Sequence, residues 1–521
     1  MMRFKAGLAI ALAIAAAPSS AAWLEARTDH FIVYSEGSEA SVRSYAAKLE
    51  RFDQGMRRIH ALPDSELDRA NPLIVFALSD SAAIHRLYCG AFSQVKERAG
   101  CREIAGFYAG HVEGSVAFTS RDNNGGGKFD LSALTTLLHE YSHHMMSANY
   151  AGVYPAWYVE GFAEFNSTAS LDKPEGVGIG LPATHRAYGL FLGSKLPIET
   201  LLASNISSLK GEERESLYGR GWLLTHMLTF EKARSGQLDA YIAAMNRGVP
   251  SLEAARAAFG DLAKLNKEMD AYVRRKSMSY VMVSVSTVPD SLVKIRRLTS
   301  GESAMMPIRI QSDRGVDGTT AGPVALEARR LAQPFADDPG AQLALTEAEF
   351  DAGNLDLAEA AVDRVLAKKP DDYGALLYKG QIEMRRAWTA NARDDATWKK
   401  VRSWFVRANR QQNNAAEALW LFYISYRSQA IKPTTNAVAG LERAFQLVPQ
   451  DDGVRFTLAG QYLSDGRLVE ARKALVPLAY DPHAAPDNRA LKLIELIDKG
   501  DRTKIDALLS GKADDDRGAT D

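Results

Sequence analysis

The sequence predicts an α+β unit followed by an all-α array of helix pairs. Three observations carry that prediction. Three apolar, β-branched runs fall within the first 120 residues and give way to helical periodicity. From Ser279 to about Thr320 the texture breaks into short β-like pieces (YVMVSVS, PIRIQ) separated by Pro, Gly, Ser and Asp. From Val324 onward the pattern is helical again and its spacing repeats. A chain of 521 residues is long enough for about three domains. Its 46% apolar and 24% charged residues are ordinary for soluble globular protein. Lys plus Arg (63) against Asp plus Glu (64) leaves a formal charge of -1, so no basic field is present to recruit nucleic acid or an anionic membrane.

Taken in order, Arg3 and Lys5 precede an uncharged run from Ala6 to Ala17, then Pro18 and the small residues Ser19 to Ala22. This reads as a secretory signal peptide over 1–22, cleaved before Ala22 or Trp23. The run has 12 residues, short of the roughly 20 that a membrane anchor requires. The expected mature chain is therefore periplasmic or secreted, with no transmembrane anchor. Cys89 and Cys101, the two cysteines, are expected to pair as a disulfide in an oxidising compartment; a thiol enzyme is the rival reading, but neither lies in a recognisable nucleophile context. Strands are expected at Asp29–Ser35, Pro72–Leu78 and Ser115–Ser120, and a long amphipathic helix from Ser38 to His60. The Gly- and Asn-rich segment Arg121–Lys128 reads as a connection, because no strand-loop-helix phosphate motif surrounds it. Asp130 is a good N-cap for a helix through Met146, and a second helix should run from Ala156 to Ser167. Further helices fill the chain to Ser277, giving a first unit over 23–278 and a connector over 279–323.

The repeating part shows Gly353, Ala358 and Pro370 at intervals of 5 and 12, and Gly466, Ala471 and Pro482 at 5 and 11. Ala437, Ala444 and Pro449 supply part of another unit, and Pro449 to Pro482 is 33 residues. Small residues where helices cross, Gly in the turn and Pro after the second helix resemble the tetratricopeptide repeat. A plain helical bundle is the alternative. Residues 324–510 are assigned to these repeats, interrupted by a charged segment around Asn391 to Lys400, and 511–521 to a flexible tail.

The chemistry concentrates in His139-Glu140-Tyr141-Ser142-His143, an HExxH sequence on the helix after Asp130. Four residues apart on a helix, His139 and His143 differ by about 40° and roughly 6 Å along the axis, so both can face one metal ion. Trp157-Tyr158-Val159-Glu160-Gly161-Phe162-Ala163-Glu164-Phe165 follows, with sixteen residues between His143 and Glu160. A catalytic zinc takes three protein ligands and keeps one position open, and a carboxylate on a second helix provides the third. Glu164, one turn beyond Glu160, is placed to accept the free N–H of a ligand histidine. The aromatic residues around both carboxylates suggest burial, and buried carboxylates need a partner such as a metal.

HEYSH followed by WYVEGFAEF resembles the gluzincin metallopeptidases of the peptidase MA-like group, whose pattern is HExxH then WxxEGxAE. The resemblance, over about residues 25 to 275, implies a thermolysin-like zincin domain with Ser115–Ser120 as the edge strand before the HExxH helix. It implies one Zn2+ per chain bound by His139, His143 and Glu160, with Glu140 as general base for peptide-bond hydrolysis by a zinc-activated water. The aminopeptidase branch carries a transition-state tyrosine in Y-x-K-G; Tyr218-Gly219-Arg220-Gly221 is similar, with Arg for Lys, and makes Tyr218 the matching residue. That branch reads the substrate amine with a GAMEN-like strand, and the corresponding Gly114-Ser115-Val116-Ala117-Phe118 has no acidic residue, which argues against an aminopeptidase.

His226 is a second possible oxyanion donor, although a His within LLTHML is more often a satisfied core residue. His144 points about 100° from His143 and is expected beside the ligand set, not in it. The implied partners are a peptide or protein substrate, paired by backbone to the edge strand, and a protein partner on the repeats. A non-catalytic adaptor carrying a degenerate peptidase-like domain is the alternative function.

Overall fold

The structure is a computed structural model that describes residues 23–89, 106–121, 129–485 and 487–509. The signal segment 1–22, the expected Cys89–Cys101 pairing, most of the Gly- and Asn-rich segment and the tail from 510 lie outside the described residues.

The N-terminal half runs β1 (Trp23–Arg27), β2 (Phe31–Glu36), α1 (Glu39–Ile59), α2 (Glu66–Ala70), β3 (Leu73–Leu78), α3 (Ser81–Cys89), β4 (Gly106–Ala109), β5 (Val116–Ser120), α4 (Ala133–Asn149), α5 (Ala156–Ser167) and β6 (Val177–Ile179). It continues through α6 (Ile198–Ala203), α7 (Glu212–Phe230), α8 (Gln237–Asn246), α9 (Ser251–Phe259), α10 (Leu262–Tyr272), β7 (Val281–Val283), β8 (Lys294–Arg297) and α11 (Ser300–Arg314). The runs LIVFAL and VAFTS carry almost no polar alternation because both of their faces are covered. They form the centre of a six-stranded sheet in the order β4-β5-β3-β2-β1-β8. β2, β3 and β5 are parallel, with Ile32 opposite Ile74 and Ile74 opposite Val116. β4, β1 and β8 are antiparallel to their neighbours.

One face of this sheet packs on α1 and α4, beneath which Leu49, Phe52, Leu137, Trp157 and Trp222 join one continuous core. On the other face Tyr34, Phe76, Phe118 and Phe107 stack in a row across four strands at 5.4, 5.4 and 4.7 Å, covered by Ile84 of α3 and Met306 and Ile310 of α11. Aromatic rows of this kind add cross-strand attraction to area burial, about 0.5–1.5 kcal/mol per pair.

Several expectations change. The HExxH helix is capped by Ser132, whose Oγ accepts the Thr135 N–H, and not by Asp130; it ends at Asn149. Ser115–Ser120 is an internal strand, because the four-residue β4 lies outside it and forms the edge. The connector with short strands expected over 279–323 has its two strands, β7 and β8, but they are packed into the N-terminal unit. Its β8 closes the sheet against β1, its β7 pairs with β6, and PIRIQ lies inside the helix α11, which opens on a Thr299–Glu302 capping box. The boundaries at 278 and 323 therefore fall within one packed unit.

The repeat array comprises α12 (Ala321–Ala332), α13 (Pro339–Asp351), α14 (Leu355–Lys368), α15 (Tyr373–Thr389), α16 (Asp395–Gln411), α17 (Ala416–Gln429), α18 (Thr435–Leu447), α19 (Asp452–Ser464), α20 (Leu468–Ala479), α21 (Arg489–Lys499) and α22 (Arg502–Leu509). These are tetratricopeptide-like helix pairs. Gly353 and Gly466 take positive φ (76° and 75°) in the turns inside two pairs, where a left-handed residue is needed. Ala358, Ala437, Ala444 and Ala471 are fully buried at the crossings. The charged segment from Asn391 to Lys400 spans the turn after α15 and the first residues of α16. The array contacts the sheet unit: Asn71 Nδ2 donates to Leu447 O (3.0 Å), and Leu67, Ala70 and Val112 pack on its α17 to α19 region. Among the described residues no helix is long and apolar enough to cross a membrane.

Helices α5 and α7 touch backbone to backbone. A Cβ added at Gly161 would lie 2.4 Å from Gly221 O and from Thr225 Oγ1, and one at Gly221 would lie 2.5 Å from Trp157 O. This explains the Gly of the WYVEGFAEF segment without chemistry. Gly161→Ala should destabilise the protein by about 1–3 kcal/mol through overpacking. Gly460→Ala, in α19 with nothing within 4 Å of the new Cβ, should be neutral or slightly stabilising. Urea unfolding of both variants checks the contrast.

Candidate metal centre

Helix α4 is buried along Leu137, Leu138, Tyr141 and Met145, which turns His139, Glu140 and His143 toward a cleft. Its buried face is pinned from behind: Tyr141 OH donates to Asp53 Oδ1 at 2.6 Å, and Asp53 is held by Arg57 Nε at 2.9 Å. His30, Glu50 and Asp53 also cluster closely enough to hold a cation, but their charges are met internally, by Arg57 on Asp53 and by His30 Nδ1 on Glu50 at 2.6 Å. That cluster anchors α4.

Across the cleft, α5 is buried almost all round, and the carboxylates of Glu160 and Glu164 have 0% and 1% exposure. His139 Nε2 and His143 Nε2 approach to 3.0 Å, and Glu160 Oε2 lies 3.3 and 3.5 Å from them. A tetrahedral zinc with bonds of about 2.0–2.1 Å separates its ligand atoms by about 3.3 Å, so the donor set has the spacing, the chemistry and the open side that zinc takes. Neither Glu160 oxygen makes a well-aligned hydrogen bond among the described residues. A buried carboxylate facing two imidazole nitrogens with no such partner is a cradle for a cation.

Glu164 behaves differently, since it is fully engaged. Arg186 donates to Oε1 from Nε (3.0 Å) and Nη2 (2.6 Å), and His185 Nε2 meets Oε2 at 2.8 Å. His139 Nδ1 lies 3.2 Å from Oε1, close enough for an ion pair though out of line for a strong hydrogen bond. Burial opposes charge on Glu164, but Arg186, His139 and His185 overcome it and hold the carboxyl well below the usual range. Burial likewise opposes the charge on Glu160, and His143 and His139 outweigh it. His139 pays for its burial with the same two carboxylates, which push it up to about 10.

Tyr218 lines the cleft from α7, its ring 6.1 Å from that of His139 and capped by the Arg186 guanidinium at 4.6 Å. Burial, then Glu160, push its hydroxyl upward, which keeps it a neutral donor. His226 is not in the cleft. It is fully buried between Tyr272 OH (2.9 Å), Gly180 O (3.0 Å) and Ser279 O (2.9 Å), and burial pulls it down to about 4, so the possible oxyanion donor is a core histidine. His144 stacks on Tyr141 and meets Tyr108 OH at 3.1 Å, outside the donor set. Sequence reasoning missed His185 and Arg186, which reach Glu164 from a short turn, and His483, whose Nε2 stands 3.2 Å from Glu160 Oε1. The cleft, about 490 Å³, is walled on one side by Tyr108, Glu140 and Tyr218 and on the other by repeat-array turns around Asp451 and Pro482.

No family model matches the chain. A stretch of 194 residues, 36% of the chain, is 25% identical to the cellulose synthase 1 operon protein C of Komagataeibacter xylinus, and the chain spans 14% of that relative's length. A solved thermophilic tetratricopeptide-repeat protein of Thermus thermophilus is 18% identical, with a TM-score of 0.30 over 37% of this chain and 96% of that one. By its own architecture the chain joins an N-terminal sheet unit to an array of paired helices.

In the metal-free chain the raised value of His139 means that its proton contributes stability fully below about pH 6.5, a contribution lost as pH rises through about 10. Zinc needs the neutral imidazole, so binding at pH 7.5 should release about one proton. Calorimetry in two buffers of different ionisation enthalpy measures it, and Glu160→Gln should weaken the metal strongly.

Proposed function

We propose that the chain is a zinc metallopeptidase of gluzincin type, not an aminopeptidase, with one zinc held by His139, His143 and Glu160. The observation that carries this reading is the spacing of their three donor atoms, 3.0 to 3.5 Å, around a carboxylate with no aligned partner. When bound, zinc supplies Lewis-acid polarisation of the scissile carbonyl and a more acidic water. Glu140, half-buried in the cleft and outside the ligand set, takes the proton of the attacking water and passes it to the leaving amine. Tyr218 donates its hydroxyl to the developing oxyanion. The substrate backbone adds to β4, the outermost of the described strands on that side of the sheet, whose Tyr108 lines the cleft. Glu113, the acid that precedes the Gly114–Phe118 strand, faces a separate cavity.

The repeats recruit the protein substrate or a partner, and the 1–22 segment makes the proposed location periplasmic or secreted. The second reading is a non-catalytic adaptor carrying a degenerate peptidase-like domain, for which the paired helices of the array would suffice. Zinc content and hydrolysis separate the two. Glu140→Gln should retain zinc and lose hydrolysis of an unstructured peptide by about 10²–10⁴-fold. Tyr218→Phe should lose about 10²–10³-fold in kcat with zinc unchanged. A zinc-loaded wild type with no activity on a quenched-fluorescence peptide library supports the adaptor.

A further inference from the structure

The two oxygens of Glu160 have different surroundings. Oε2 is the one nearest His139 and His143, while Nε2 of His483 stands 3.2 Å from Oε1. His483 belongs to the repeat array, in the turn between α20 and α21, and its ring stands edge-on to His143 with centroids 6.3 Å apart at 89°. The turn is shaped from within, by the His483 N–H donating to Asp481 Oδ1 (2.8 Å) and by Asn488 Nδ2 donating to Ala479 O (3.0 Å). It is also tied to the sheet unit at two further points. Ile206 N–H donates to Pro482 O (3.3 Å), and Asn205 Nδ2 to Ala484 O (3.5 Å). A turn fixed on both sides thus brings a half-exposed imidazole to a buried carboxylate of the cleft whose oxygens lack an aligned partner among the described residues.

We propose that His483 is a positioning residue of the metal centre supplied by the repeat array: its N–H holds Glu160 Oε1, so that Oε2 alone is presented to the metal. This rests on the zinc reading given above. Ligating carboxylates are themselves hydrogen-bonded, and losing such an outer partner lowers metal affinity by about 10- to 100-fold. The consequence is a thermodynamic link between the two halves of the chain. Whatever shifts the turn at 480–484 changes zinc affinity, and zinc in return stiffens the seat of the array.

The test compares full-length wild type, His483→Ala and His483→Gln. Zinc dissociation constants are measured by competition with a chelating dye, and the visible absorption of the cobalt-substituted proteins reports the coordination geometry. His483→Ala should bind zinc about 10- to 100-fold more weakly and shift the cobalt spectrum, while His483→Gln, whose amide can donate to Oε1, should recover most of both. Metal-free thermal midpoints should fall only slightly, because His483 is half exposed and Glu160 still faces His139 and His143 without it. Equal zinc constants and cobalt spectra in wild type and His483→Ala overturn the proposal and leave the zinc reading standing. A matching fall in the metal-free midpoint makes His483 a docking strut, and tighter zinc in His483→Ala makes the turn a plug; either overturns it. A wild type that binds no zinc removes both readings.

Discussion

A carboxylate with no surface in water must meet positive charge where it stands, because desolvating an unpaired ion costs several kcal/mol even after the protein relaxes. Glu160 sets that requirement at the centre of this molecule. It sits on a helix buried nearly all round, so solvent cannot supply the compensation. The imidazoles of α4 come toward it from one side and His483 from the other. One turn along the same helix, Glu164 has the same requirement and meets it with Arg186 and His185. Two buried acids on one helix therefore have opposite characters: one is closed by protein cations, and the other is left facing a gap between nitrogens.

Holding that gap open depends on packing more than on polar contacts. The Gly161–Gly221 crossing draws α5 and α7 together until backbone touches backbone, which brings Tyr218 to the rim beside His139. Behind α4, the Tyr141–Asp53–Arg57 chain prevents the helix from rolling its histidines out of the cleft. Protein interiors transmit such constraints because they are close-packed, with little slack between neighbours.

The local chemistry was legible in the sequence, since i, i+4 histidines and i, i+4 glutamates each share a helix face by geometry alone. The paired helices of the repeats were legible for a similar reason: Gly353 and Gly466 mark left-handed turns, and Ala358 and Ala471 mark crossings. What escaped was set by distant contacts. β4 has four residues, too few for a period-2 signal, so the edge was assigned to β5. PIRIQ alternates like a strand, yet the capping box at Thr299 starts a helix that carries it. His226 has the residue type of a donor and the burial of a core group. His483 follows Pro482 in a repeat turn, and nothing local tells that turn from any other; only the fold brings it to Glu160.

The sheet has one further property, which concerns time. On its inner side β1 pairs with β2 across a turn, but on its outer side Leu24 pairs with Arg297. Closing so long a loop adds little to the equilibrium cost, which grows only with the logarithm of length, but non-local pairing of this kind is slow to form. A chain emerging N-terminus first therefore carries the outer edge of β1 unpaired until Arg297 has followed. Throughout that interval the strand offers a row of free N–H and C=O groups to any other strand it meets. The order of synthesis thus makes β1 the segment most in need of a temporary escort, and the arrival of β8 the event that ends its exposure.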